Sequence, residues 1–146
     1  MANEACPLPT PPSGSESEVM RRMLAARTIA VVGASDDEMR PGHYVPEYLI
    51  AQGYEVIPVN PKYGQVFGVT CYKTLAEIPG EVDIVNVFRR PNACGEVARQ
   101  AIAKGVKGIW LQSGIFNDEA RKLAREAGID FVQDRCIMVE HRRRGR

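Results

Sequence analysis

Four short stretches carry the side chains that could meet a ligand. They are Gly33-Ala34-Ser35 with Arg40 beyond, Val59-Asn60-Pro61-Lys62, Phe88-Arg89-Arg90-Pro91 and Gln112-Ser113-Gly114. Each follows an apolar run, so each reads as the point where a strand emerges. The first can offer a phosphate the Ser35 hydroxyl and N–H, the N–H groups of a following helix, and the Arg40 guanidinium as a bidentate charge. Read blandly, it is a tight strand-to-helix turn with a surface arginine. In the second, Asn60 stands where nicotinamide dinucleotide sites place an acid against the ribose hydroxyls. An acid would repel a phosphorylated ribose, whereas Asn60 beside Lys62 would not. Asn60 could equally cap a turn forced by Pro61. The third offers two adjacent arginines, one of them facing a ligand, and a helix opened by Pro91 with free N–H groups behind it. The fourth offers Gln112 as a hydrogen-bonding amide and Gly114 as a place for close backbone approach. These residue types bind anions. They do not make bonds: the two histidines, His43 and His141, have no visible partner to orient a general acid or base.

Alternating strand and helix signals position these stretches. Residues 1–17, rich in Pro, Ser, Gly and Glu, are expected to be flexible, and 18–26 to form a short helix. Strands are expected at 28–33, 54–61, 82–88, 107–112 and 129–133, with a small extended segment near 66–73. Helices are expected at 43–52, 92–104 and 117–127, with Gly53, Gly105 and Gly128 as stops. Thr74 and Glu77 read as a capping box on a short helix. Trp110 lies inside a strand and reads as core. The pattern is one α/β domain over 18–141, Rossmann-like and doubly wound, with a mainly parallel sheet covered on both faces. Residues 142–146 are then a solvated basic tail. Ligands of such sheets sit outside the carboxyl ends of the strands, at the switch point.

Bulk properties narrow the classes. With 146 residues and a formal net charge of +1, nothing global points to nucleic acid or to a membrane surface. No apolar stretch approaches a membrane span and no signal-peptide order opens the chain, so a cytoplasmic protein is expected. Cys6, Cys71, Cys94 and Cys136 lack C-x-x-C spacing, which argues for reduced thiols over a metal site. An NAD(P)-dependent oxidoreductase would carry G-x-G-x-x-G after the first strand. Here neither Ser35 nor Glu38 supplies the second or third glycine.

Taken in order, "VVGAS…RPG", "GYEVIPVNP", "VDIVNVFRRP", "GVKGIWLQSGI" and "AREAGIDFVQDRCIMVEH" resemble the small stand-alone CoA-binding proteins. These are similar to the CoA-binding domain of the succinyl-CoA synthetase α-subunit and of NDP-forming acyl-CoA synthetases. The resemblance runs from about Arg27 to His141. It implies a Rossmann domain that binds coenzyme A or an acyl-CoA. Gly33, Ala34 and Ser35 would meet the pyrophosphate, with Arg40 near. Val59, Asn60, Pro61 and Lys62 would surround the adenosine and its 3′-phosphate. Phe88, Arg89 and Pro91 would line the pocket, and Gln112, Ser113 and Gly114 would lie toward the pantetheine. The synthetases carry their phosphorylated histidine in a second domain, for which this sequence shows no counterpart. The resemblance therefore implies a binding module without evident catalytic residues. The alternative is a ligase subunit acting with a separate nucleotide-binding protein. Cys136 falls where the synthetases have a Pro-Asn-Cys-like loop, which would put a thiol near the ligand.

Overall fold

Ile29, Ala30, Val31 and Val32 are all buried, as a continuous apolar run requires of a strand covered on both faces. Around this strand, a computed structural model describes residues 14–144. In chain order the elements are α1 (Glu16–Leu24), β1 (Thr28–Val32), α2 (Pro41–Ala51) and β2 (Glu55–Val59). A hairpin of β3 (Gln65–Val66) and β4 (Val69–Thr70) and a 3-10 turn at Leu75–Glu77 follow. Next come β5 (Ile84–Val87), a 3-10 turn at Pro91–Ala93, α3 (Cys94–Lys104), β6 (Gly108–Leu111), α4 (Asp118–Ala127), β7 (Asp130–Val132) and α5 (Ile137–Arg144). Expectations for residues 1–13, Cys6 among them, and for Gly145 and Arg146 fall outside the described residues.

Five strands form one parallel sheet in the order β2-β1-β5-β6-β7. This is a doubly wound, Rossmann-like α/β sheet whose order reverses between β1 and β5. Alternation along β1 divides the core. Ala30 and Val32 face Val97, Ala98 and Ala101 of α3 and Ala120 and Ala124 of α4. Ile29 and Val31 face Met20, Met23 and Leu24 of α1, Val45 and Leu49 of α2 and Ile137 of α5. Trp110 is fully buried on the second face, and its indole N–H donates to the Arg135 carbonyl at 2.8 Å. It is core, as expected.

Three local expectations shift. The first helix starts at Glu16, because Ser15 and Glu18 form a reciprocal capping box. The box expected at Thr74 does not form. The Thr74 side chain makes no cap, and Glu77 instead accepts the Lys73 N–H at 3.2 Å. Arg142, Arg143 and Arg144 are not a free tail but the last turn of α5. Arg143 and Arg144 pair there with the buried Glu140, and Arg144 also reaches the Ser17 hydroxyl at 3.2 Å. A bidentate Arg22–Asp130 pair, at 2.7 and 3.0 Å, ties α1 to β7.

At the amino edge of the sheet, Asp83 accepts the Arg27 and Thr28 N–H groups at 3.0 and 3.2 Å. Burial pushes its carboxyl up, but those two bonds and the nearby Lys107 charge outweigh it and hold it below the usual range. A depressed carboxylate contributes stability above its unfolded pKa and loses it as pH falls through the folded value. Asp83→Asn is therefore expected to cost about 1.5 kcal/mol at neutral pH. Its thermal midpoint should converge on that of the unmodified protein in acid. Melting curves from pH 7 down to pH 3 check this, and a parallel offset at every pH would refute it.

Candidate functional site

Val59, Val32, Val87 and Leu111 end their strands in register across the sheet. The next residue of each strand is Asn60, Gly33, Phe88 and Gln112. These four form a row along the carboxyl edge, spanning the switch point. Two clefts open there, of about 850 and 790 Å³. They share Gly33, Arg40, Asn60, Lys62, Phe88 and Arg89, so they are two arms of one groove.

Gly33 is required by its neighbour. Its φ is +92°, and a Cβ there would stand 2.4 Å from the Phe88 carbonyl oxygen. The main-chain donors of the row are spent in the sheet: Gly33 N–H goes to Val59, Phe88 N–H to Val32 and Gln112 N–H to Val87. The Ser35 N–H is spent as well. It donates at 3.1 Å to the Gly42 carbonyl. That carbonyl is available because residue 46, four further along α2, is a proline with no N–H to give it. The His43 and Tyr44 N–H groups both turn back to the Arg40 carbonyl. Three of the N–H groups expected to face a phosphate, those of Ser35, His43 and Tyr44, are therefore engaged within the protein. What remains to Ser35 is its hydroxyl proton, since Oγ accepts the Asp37 N–H at 3.0 Å.

Positive charge comes instead from side chains. Arg40, Lys62 and Arg89 all line both arms. Arg40 is tethered loosely to Asp37 at 3.4 Å and its side chain is 72% exposed. Among the described residues, Lys62 and Arg89 donate to no carboxylate. Arg90 and Lys73 line only the 790 Å³ arm, with Glu96 the acid on that wall. Asp36 and Asp37 line only the other arm. The 790 Å³ arm is therefore the basic one.

Most of the residues singled out in the sequence come together here. Gly33, Ser35, Arg40, Asn60, Lys62, Phe88, Arg89, Gln112 and Ser113 wall the larger arm, and Val59 and Pro61 the basic one. Ala34, Pro91 and Gly114 are on neither wall. Ala34 is buried in the core beneath the loop. Pro91 opens a 3-10 turn and gives its carbonyl to the Asn117 amide at 2.7 Å. Gly114 turns away to donate its N–H to Asp134 at 2.8 Å. The Asn60 amide is partly structural: it donates to the Ala34 carbonyl at 2.9 Å and accepts the Lys62 N–H at 2.9 Å. Gln112 accepts from Asn86 at 3.1 Å and from the Ile137 N–H at 3.0 Å, which pins the start of α5 over the groove.

Sequence reasoning missed what α5 brings: Met138 and Val139, facing the larger arm with Tyr44, Val45 and Ile115. Cys136 lies on the same wall. Burial pushes the Cys71 and Cys94 thiols up, the first against a hydrogen bond to Asn60 and the second against the Arg89 charge. Neither histidine enters the groove. His43 Nδ1 lies 2.7 Å from the Ser35 carbonyl and bonds it, bracing the loop from behind. His141 is buried against Tyr48 and Tyr54.

A sequence profile described as a CoA binding domain matches residues 27–142. The chain belongs to this CoA-binding domain family. It is 39% identical over 127 residues to the uncharacterized protein YneT of Bacillus subtilis, covering 87% of this chain and 94% of YneT. It is 37% identical over 124 residues to the α subunit of an ADP-forming acetate–CoA ligase II of Pyrococcus furiosus. That match takes in 77% of this chain and 27% of the ligase subunit, so the chain spans only the CoA-binding part of such relatives. Among solved structures it superposes on a hypothetical protein from Pyrococcus horikoshii OT3 with a TM-score of 0.85 and 42% identity. The superposition covers 91% of this chain and 94% of that one.

Proposed function

We propose that this protein holds coenzyme A or an acyl-CoA in the groove as a binding module, with no chemistry of its own. The observation that carries the reading is the convergence of Arg40, Lys62 and Arg89 at the junction of both arms, beside Gly33 at the switch point. The pyrophosphate lies at that junction. The adenosine and its 3′-phosphate lie in the basic arm, near Lys73 and Arg90. The pantetheine runs along Gln112 and Ser113 into the larger arm, away from Asp36 and Asp37. Charge complementarity supports this direction, because the acids of the larger arm repel a phosphate dianion. No histidine reaches the groove, which favours binding over catalysis within this chain.

A second reading, a ligase subunit, is favoured by the match to the acetate–CoA ligase α subunit. It requires a separate protein to supply the nucleotide-binding and phosphohistidine domains. An NADP-dependent oxidoreductase is a weaker fit, since the loop after β1 lacks the second and third glycines of G-x-G-x-x-G.

Calorimetric titration with CoA, dephospho-CoA and NADP tests the reading. CoA is expected to bind, dephospho-CoA about 10-fold more weakly or worse, and NADP not at all. Equal affinity for CoA and dephospho-CoA would remove the 3′-phosphate from the basic arm. No binding of CoA would leave a Rossmann-like scaffold with another ligand.

A further inference from the structure

The larger arm has apolar walls as well as polar ones. Beyond Gln112 and Ser113 its walls are Tyr44 and Val45 from α2, Ile115 after β6, and Cys136, Met138 and Val139 at α5. None of these carries a charge. Helices α2 and α5 touch, so the two apolar walls are brought together rather than scattered. Tyr44 and Val139 are left 43% and 41% exposed, two of the few large apolar side chains that the fold leaves in water. The β3–β4 hairpin and Phe116 carry others, but those lie off this groove. A terminal –SH gains little from such walls. An alkyl group would bury against them and recover the transfer free energy that their exposure forgoes.

Resting on the reading of the groove as a CoA site, we propose that the arm roofed by α5 is an acyl subsite. It takes an uncharged aliphatic acyl group, so that acyl-CoA is preferred over free CoA. The amide of Gln112, fixed by Asn86 and Ile137, marks the boundary between the polar pantetheine path and the apolar arm. Dicarboxylic acyl groups are excluded, because a carboxylate at the far end would meet Met138 and Val139 with no cation among those walls.

The test is calorimetric titration of the whole chain with CoA, acetyl-CoA, hexanoyl-CoA and succinyl-CoA, repeated on Val139→Asn. Val139 is half-exposed on α5, so the substitution leaves the fold intact. In the unmodified protein hexanoyl-CoA is expected to bind at least about 10-fold tighter than CoA, with acetyl-CoA between them and succinyl-CoA no better than CoA. In Val139→Asn the hexanoyl advantage over free CoA should fall to within about 2-fold. Equal affinity for all four ligands overturns the acyl subsite and leaves the CoA reading standing. A hexanoyl advantage that survives Val139→Asn overturns its placement at α5. Failure of all four to bind overturns the CoA reading and the subsite with it.

Discussion

Gly33→Ala is expected to destabilise the protein by on the order of 3 kcal/mol or more, lowering the thermal midpoint by about 10 °C. Two costs add. The backbone at Gly33 has φ +92°, a region that a side chain rarely adopts. The new Cβ would also sit 2.4 Å from the Phe88 carbonyl oxygen. That oxygen cannot retreat. The Phe88 N–H is bonded to Val32 at 2.8 Å and the Gly33 N–H to Val59 at 2.9 Å, so both partners are held by the sheet. Gly114→Ala is the control. Its φ is +79°, but a Cβ there meets nothing within 4 Å. It bears the conformational cost alone, about 1 kcal/mol. Chemical denaturation of both variants separates strain from collision. Equal losses at the two positions would show that the close approach of Phe88 is not what demands a glycine.

The demand on Gly33 was also hard to read in the sequence. A glycine after an apolar strand leaves room, without saying for what. Here the neighbouring strand needs it, and nothing in the local sequence points to Phe88, which lies far along the chain. The same holds for Ser35. Its N–H looks like a phosphate donor until Pro46 is noticed, which frees the Gly42 carbonyl to take that N–H. By contrast the strands, α3 and α4 were legible, because their signals are local: continuous apolar runs, and Asn117, Gly105 and Gly128 at helix ends. The two capping boxes show the limit of such signals. Thr74–Glu77 and Ser15–Glu18 share one spacing, but Thr74 opens only a 3-10 turn and Glu77 is taken by the Lys73 N–H. Helix α5 was hidden behind "RRR", whose charge suggested solvent. Glu140, buried and paired with Arg143 and Arg144, supplies the compensation that the run alone does not reveal. The positions of Arg40, Lys62 and Arg89 were legible as strand-end residues. Their convergence, and the apolar walls that α5 adds, depend on tertiary contacts between segments distant in sequence.

With the Ser35, His43 and Tyr44 N–H groups engaged, ligand affinity should rest mainly on side-chain cations, and their removal should be severe. Arg40→Ala and Arg89→Ala are each expected to weaken CoA binding by about 1.5–3 kcal/mol, roughly 10- to 150-fold. Both residues line both arms, so neither loss should discriminate CoA from dephospho-CoA. Arg90 lines the basic arm alone, and Arg90→Ala should penalise CoA more than dephospho-CoA. The double variant Arg40→Ala/Arg89→Ala should lose less than the sum of its parts if both guanidiniums grip one pyrophosphate, because neighbouring sites couple. Folding should be little affected, within about 0.5 kcal/mol for Arg40, whose side chain is 72% exposed and holds only a loose pair to Asp37. Rising salt should weaken binding to the unmodified protein more steeply than to either variant, since each arginine removed takes one screened attraction with it. The titrations are run beside thermal melts, so that lost affinity is not mistaken for lost fold. Unchanged affinity in both single variants, with the fold intact, would move the anion away from the Gly33 junction and toward the walls that Lys73 and Arg90 share.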